Sequence, residues 1–388
     1  MISFENTEVA FASKSDKDLN RAYRLFKLVG NPTLVRFGNW ATDLALKLRL
    51  PIKGIVKKTI FKQFCGGETI EECNYTIKQL YDFGVGTILD YSVEGNLDKD
   101  DFTDTVDELI STIEKAKNEE AIPFAVFKVT GIANFNLLKR VNYSNAAISE
   151  ADRLMLDAVE SRVDQICSKA HECKVPIFID AEESWIQDVI DRICTTMMQR
   201  YNTEKAIVFN TLQMYRHDRL AYLKEQVEYA KANGFKYGVK LVRGAYMEKE
   251  RARAKEKGYP SPIQPDKKAS DKDYDLAIRF VLDNIETVSF CAGTHNENSS
   301  KLLAELIKEK AINEKDERIY FAQLLGMSDH ISYNLSNAGY NVAKYVPYGP
   351  VKEVLPYLIR RANENTSVAG QTSRELGLIM KERKRRKG

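Results

Sequence analysis

Tyr357 to Asn365 reads YLIRRANEN, with two adjacent arginines placed one helical turn ahead of a Glu-Asn pair. Arg360 precedes Glu364 by four residues and Arg361 precedes Asn365 by four, so on a helix each guanidinium shares a face with a polar partner. Two guanidinium groups held in this way form a clamp for a small carboxylate, because the planar fork matches a carboxylate through two hydrogen bonds. The plainer reading of the same spacing is a solvated helix face carrying salt bridges.

Other groups capable of chemistry close short β-branched runs. Lys128, Asp180 with Glu182 and Glu183, Gln213, Lys240 with Arg243, Thr294 with His295 and Asn296, Gln323, and Tyr345 all stand at or just beyond the end of such a run. A lone lysine ending an apolar strand is more often a rim charge than a catalyst. Cations after the second and fifth runs, with Arg360 and Arg361 further on, point instead to an anionic substrate or cofactor. No nucleophile elbow, P-loop lysine or paired metal carboxylates accompany them, so acyl transfer, phosphoryl transfer and metal hydrolysis lack their parts.

The elements that must position these groups follow from the pattern. Eight runs are predicted as strands: 87–91, 124–129, 176–181, 206–212, 237–242, 287–292, 318–324 and 342–346. Amphipathic helical stretches lie between them, among them 152–169 and 219–232, the latter stopped by Asn233-Gly234. Eight βα repeats are what a (β/α)₈ barrel of the TIM type requires, and catalytic groups in such a barrel gather at the C-terminal ends of the strands. A doubly wound open sheet is the alternative, weakened because no GxGxxG follows the first strand. Residues 1–85 read as a helical arm that packs on the barrel, with Leu25, Phe26, Leu28, Val29 and Leu34 and then Leu44, Ala45, Leu46 and Leu48 as its apolar positions, broken by Pro32 and Pro51. The expected division is therefore an α/β chain with an arm over 1–85, a catalytic barrel over 86–370 and a C-terminal segment with a basic tail over 371–388.

Composition bounds the function. The chain has 388 residues, 44% hydrophobic and 29% charged, and its net charge of +3 is small beside 58 basic and 55 acidic residues, so nucleic acid is not the expected partner. Only KERKRRKG from Lys381 is strongly basic, which reads as a solvated, disordered end or, alternatively, as a contact with anionic lipid or nucleic acid. The six cysteines show no CxxC pair and read as reduced thiols; the four histidines show no metal spacing. The N-terminus lacks a signal pattern and no run approaches the roughly 18 apolar residues that a spanning helix needs. A soluble, cytoplasmic protein is expected, with peripheral contact at the inner face of a membrane as the tail's alternative role.

Taken together, FKVTG at 127–131, DAEESW at 180–185, TLQMY at 211–215, KLVRGAYMEKER at 240–251, GTHN at 293–296, QLLGMSD at 323–329, YVPYGP at 345–350 and YLIRRANEN resemble proline dehydrogenase. The motifs fall in that family's order, one near the end of nearly every strand, from about Phe64 to Asn365. Any one alone is weak; as a set they are specific. The family is a flavin enzyme on a distorted (β/α)₈ barrel, and without an aldehyde dehydrogenase domain this chain resembles its single-activity form.

The resemblance implies FAD as cofactor, L-proline as substrate, 1-pyrroline-5-carboxylate as product and a quinone as electron acceptor. It places Arg360 and Arg361 on the substrate carboxylate with Lys128 as a third cation, has Asp180 support that lysine, and walls the pyrrolidine ring with Tyr246, Leu324 or Leu325, and Tyr345. Asp180 and Lys240 are the implied catalytic pair. The implied flavin contacts are Ala181, Gln213, Lys240, Val242, Arg243, Gly244, Ala245, Thr294, His295 and Glu364. Bifunctional members carry Arg where this chain has Lys240, so a point charge replaces a fork there. Two other functions stay open: a hydroxyproline dehydrogenase, disfavoured because Tyr345 fills the space a hydroxyl would need, and a catalytically silent barrel that binds anionic lipid or RNA through the basic tail.

Overall fold

The computed structural model describes residues 2–31, 33, 53–92, 102–142, 148–367 and 371–388, without the side chains of 55, 362–367 and 371–372. The strands are β1 (Val85–Tyr91), β2 (Phe124–Lys128), β3 (Ile177–Asp180), β4 (Val208–Gln213), β5 (Tyr237–Val242), β6 (Val288–Gly293), β7 (Ile319–Leu324) and β8 (Val342–Tyr348). They follow one another around a closed barrel in sequence order, and the registers described, β1 with β8 and each successive pair from β2 to β7, are parallel. Each of the eight expected strands is present, within one or two residues at most ends. The largest differences are of two residues: β1 starts at Val85, β4 starts at Val208, and β8 runs on through Pro347 to Tyr348.

The helices that precede β1 are α1 (Thr7–Ala10), α2 (Asp16–Val29), α3 (Lys53–Val56), α4 (Lys62–Phe64) and α5 (Ile70–Tyr81), with a π turn over Lys57–Phe61 joining α3 to α4. Between the strands lie α6 (Thr103–Lys117), α7 (Phe135–Val141), α8 (Glu150–Cys173), α9 (Ser184–Tyr201), α10 (Arg219–Asn233), α11 (Met247–Lys257), α12 (Lys267–Asp283), α13 (Glu297–Glu309) and α14 (Asp329–Asn337). After β8 come α15 (Val351–Ser367) and α16 (Gln371–Arg385). Capping explains several ends: Ser149 accepts from the Asp152 N–H to start α8, and Gly234, left-handed at φ +71°, stops α10 where Asn233-Gly234 was expected to.

The chain forms two compact units, Met1–Glu94 with Gln323–Gly388, and Gly95–Ala322. In the second, Phe124, Phe178, Phe209 and Tyr320 pack as one aromatic layer, with Phe124 stacked on Phe178 at 4.4 Å between centroids. In the first, the apolar stripe of α2, Leu19, Phe26 and Val29, buries against Leu378 and Ile379 of α16. Of the apolar positions expected in the arm, Leu28 is exposed, and Leu34 and 44–48 lie outside the described residues.

The basic tail is not the solvated, disordered end that its charge run suggests. It is the last turns of α16, and Glu382, fully buried, receives both Arg385 and Arg386. Arg386 also donates to the carbonyls of Phe11 and Lys14, and the guanidinium of Arg383 lies 4.1 Å from the Tyr23 ring centroid. Lys381, Arg383, Arg385 and Arg386 of the run thus each meet the N-terminal segment, at the Glu5 carbonyl, the Tyr23 ring, Glu8 and Asp16 respectively. All six cysteines are free and buried.

Candidate active site

Register brings the first charged pair together. Lys128 closes β2 and Asp180 closes β3, their Cα atoms are partners across the two strands, and Lys128 Nζ lies 3.5 Å from Asp180 Oδ2. Lys240 reaches the same carboxylate from β5, ion-paired with Oδ1. Thr211 on the intervening β4, Cα partner of Lys240, donates its hydroxyl to Oδ1 at 3.4 Å. Lys240 Nζ also lies 4.8 Å from the Phe178 ring centroid. Asp180 and Lys240 are both buried, so one desolvated carboxylate organises two ammonium groups.

The two carboxylates after Asp180 have different tasks. Glu182 is buried and accepts from the Thr130 N–H at 3.0 Å and from the Thr130 hydroxyl. Burial pushes its carboxyl up to about 7, with the charge of Glu183 adding to the rise and the Thr130 bonds opposing it. Its own N–H donates to Gln187 Oε1 at 2.8 Å, and its carbonyl accepts from Gln213 Nε2 at 2.7 Å. Gln213 is thus fixed by the β3 end. Glu183 is ion-paired with Lys249 of α11, while Glu250 on the same helix accepts from the Ser184 N–H and hydroxyl, each at 2.6 Å.

Arg243, just past β5, is built into a socket. Nε donates to Asp271 Oδ1 at 2.6 Å, the other nitrogens to Thr294 Oγ1 at 2.6 Å and Ser299 Oγ at 2.9 Å, and the guanidinium carbon lies 4.3 Å from the Tyr274 ring centroid. Thr294 and Arg243, both singled out from the sequence, therefore meet. Gly244 follows at φ +133°, and a Cβ there would stand 2.5 Å from the Tyr215 ring. Two bonds extend the β4–β5 ladder past the strand ends, from the Met214 N–H to the Val242 carbonyl and from the Tyr215 N–H to the Arg243 carbonyl, each 2.8 Å. Ala181, Val242, Tyr246 and His295 are half-buried beside these groups in sequence, and Ala245 is exposed.

In the unit that holds β8, Tyr345 is buried and its carbonyl accepts from the Leu325 N–H at 2.9 Å, which ties it to the end of β7 where Leu324 is half-buried. Arg361 is buried on α15 with its guanidinium carbon 5.0 Å from the ring centroid of Tyr357, one turn back; Arg360 is half-buried. The side chain of Glu364 lies outside the described residues, as does that of Asn365.

Sequence reasoning missed Thr211, Tyr215, Asp271 and Ser299. Thr211 carried a signal, since it opens TLQMY and pairs in register with Lys240. Tyr215 closes the same motif and carried the same signal, whereas Asp271 and Ser299 carried none, because they stand on α12 and α13, which only the fold brings to β5.

A family model described as proline dehydrogenase matches residues 73–374. Proline dehydrogenase 1, mitochondrial, of Dictyostelium discoideum is 33% identical over 98% of this chain and 74% of that protein. Proline dehydrogenase 1, mitochondrial, of Homo sapiens is 41% identical over 61% of this chain and 40% of that protein. Among solved structures, proline utilization A (PutA) from Bdellovibrio bacteriovorus inactivated by N-propargylglycine superposes with a TM-score of 0.73 at 20% identity, over 93% of this chain and 38% of that one. At that identity the likeness is one of fold. No helix among the described residues is long and apolar enough to cross a membrane.

Proposed function

The chain belongs to the proline dehydrogenase family, and on that premise we propose that it oxidises L-proline to 1-pyrroline-5-carboxylate with FAD as hydride acceptor, the electrons passing on to a quinone. This is the opening reaction of proline catabolism, placed on the 86–370 barrel. The observation that carries the reading is the pair of lysines, Lys128 and Lys240, held by one buried carboxylate at strand ends. A substrate whose carboxylate must be held while a neighbouring ring carbon loses hydride calls for fixed cations at such positions.

The residues present fit the cofactor. Arg243 and Lys240 supply positive charge for an anionic group, and Gly244, at φ +133° with the Tyr215 ring where a Cβ would stand, fixes the path of the backbone that follows Arg243. Gln213, Val242, Ala245, Thr294, His295, Ala181 and Glu364 complete the proposed contacts. FAD, when bound, supplies the two-electron sink. This chain's residues do the rest: Arg360 and Arg361 take the substrate carboxylate, Lys128 adds a cation for it, Asp180 keeps Lys128 and Lys240 aimed, and Tyr246, Leu324 and Tyr345 wall the ring and keep water from it. The bulk of Tyr345 favours proline over hydroxyproline.

Anaerobic titration of the purified protein with L-proline, following flavin absorbance, tests this directly. Bleaching of a bound flavin by L-proline in preference to hydroxyproline is expected. A colourless protein, or a flavin that L-proline leaves oxidised, overturns it.

A further inference from the structure

The turn from Leu324 to Ser328, between β7 and α14, is held by groups from three distant parts of the chain. Lys344 on β8 is fully buried and directs its three donors at the Leu324 carbonyl (3.4 Å), the Met327 carbonyl and Asp329 Oδ1 (2.9 Å). Glu375 of α16, also buried, accepts from the Ser328 N–H. Gln63 of α4 donates to the Gly326 carbonyl at 3.0 Å, and Lys14, between α1 and α2, stands 3.5 Å from Asp329 Oδ2.

The backbone they hold is not one the turn would choose. Gly326 is left-handed at φ +75°, and a Cβ there would lie 2.1 Å from the Gln63 carbonyl oxygen. Ser328 is left-handed too, at φ +51°, a conformation that costs a non-glycine residue energy and persists only where its surroundings over-determine it. The Lys344 ammonium and the Asp329 and Glu375 carboxylates are buried to do so, with Lys14 half-buried beside them, which is a poor way to gain stability because desolvation offsets most of the attraction. What they achieve is placement. The Leu325 N–H donates to the Tyr345 carbonyl, and Tyr345 is the neighbour of Lys344 on the opposite face of β8.

We propose that Lys344 and Glu375 are positioning residues for substrate binding: by fixing the Leu324–Ser328 turn they set where Leu324 and Tyr345 meet the substrate ring. This rests on the proline-oxidising reading above and extends the substrate machinery into α16, a helix that lies beyond the arginine motif.

Three variants of the flavin-loaded full chain test it. Glu375→Ala should raise the KM for proline about tenfold while kcat and flavin content stay within about twofold. Glu375→Gln, whose amide oxygen still accepts from the Ser328 N–H, should return KM to within about twofold of wild type. Glu382→Ala weakens the other end of the same helix and should lower Tm without moving KM. A wild-type KM in Glu375→Ala, or an equal rise in Glu382→Ala, overturns the inference. Should Glu375→Ala fail to fold, a tenfold KM in Glu375→Gln overturns it and a near-wild-type value supports it. If wild type binds flavin but ignores proline, the proposed function fails. Hydrogen exchange at 325–328 then decides the turn by itself, being faster in Glu375→Ala than in Glu382→Ala if the clamp is real and equal in both if it is not.

Discussion

Lys128 reaches Asp180 from the neighbouring strand, Nζ to Oδ2 at 3.5 Å, and the two residues are Cα partners across β2 and β3. Asp180→Asn keeps the shape of the side chain and removes the charge that both Lys128 and the buried Lys240 face. Losing that charge weakens the hold on two ammonium groups, one of them buried, so kcat/KM for proline should fall by about a hundredfold and Tm should drop. Steady-state kinetics with a dye acceptor check this. An unchanged kcat/KM would leave the pair a purely structural role.

Arg360→Met and Arg361→Met should each raise the proline KM at least tens-fold with flavin content preserved, since losing one charge-assisted partner of a buried carboxylate costs about 2 to 5 kcal/mol. The Arg361 variant should also lose some stability, because its guanidinium packs beside the Tyr357 ring. Near-normal kinetics in both would return α15 to the plain reading of a charged helix face.

Glu182 makes stability depend on pH in an uncommon direction. Its carboxyl titrates at about 7 in the folded chain against 4.5 otherwise, so between those values the folded state holds a proton that the unfolded state has lost. Stability therefore falls as pH rises from about 4.5 to 7, by on the order of 3 kcal/mol, and is flat in this group's contribution above that. Glu182→Gln should remove that slope, and Tm against pH for the two proteins shows whether it does. Parallel curves would mean that Glu182 is ionised throughout.

Truncation after Met380 removes Glu382 and the arginines that bind it, along with the Arg386 bonds to the Phe11 and Lys14 carbonyls. Tm should fall by several degrees, as for the loss of a buried, hydrogen-bonded charge network. Comparing dye turnover with quinone turnover on anionic vesicles separates this from membrane contact. A truncated chain with wild-type Tm would show that the tail's contacts contribute nothing.

The strands were legible because each is a short β-branched run between helical patterns, and β5 was read to its exact ends, Tyr237–Val242. β8 was read short because Pro347 resembles a stop, yet it pairs with Asp90 of β1 and its carbonyl accepts from the Gly66 N–H. The charged strand ends were visible one at a time. That Asp180 joins Lys128 and Lys240 was not, since Lys240 lies 60 positions further along and only barrel register brings it back. The tail was misread for a related reason: Leu378 and Ile379 look like isolated apolar residues until Leu19 and Phe26, from the other end of the chain, are set against them.

The unit that contains β1, β8 and α16 is assembled from Met1–Glu94 and Gln323–Gly388, and this has a consequence for synthesis. Emerging from a ribosome, the first segment has only its own residues, Phe11 and Phe64 among them, to set against Leu19 and Phe26 while the intervening 95–322 is made, and the side that Leu378 and Ile379 cover stays open. The Gln63–Gly326 bond spans 263 positions and cannot close until the second segment is out. Late closure of a discontinuous unit is where slow folding and capture by chaperones concentrate, and a stalled or shortened product would expose the α2 stripe that α16 otherwise covers.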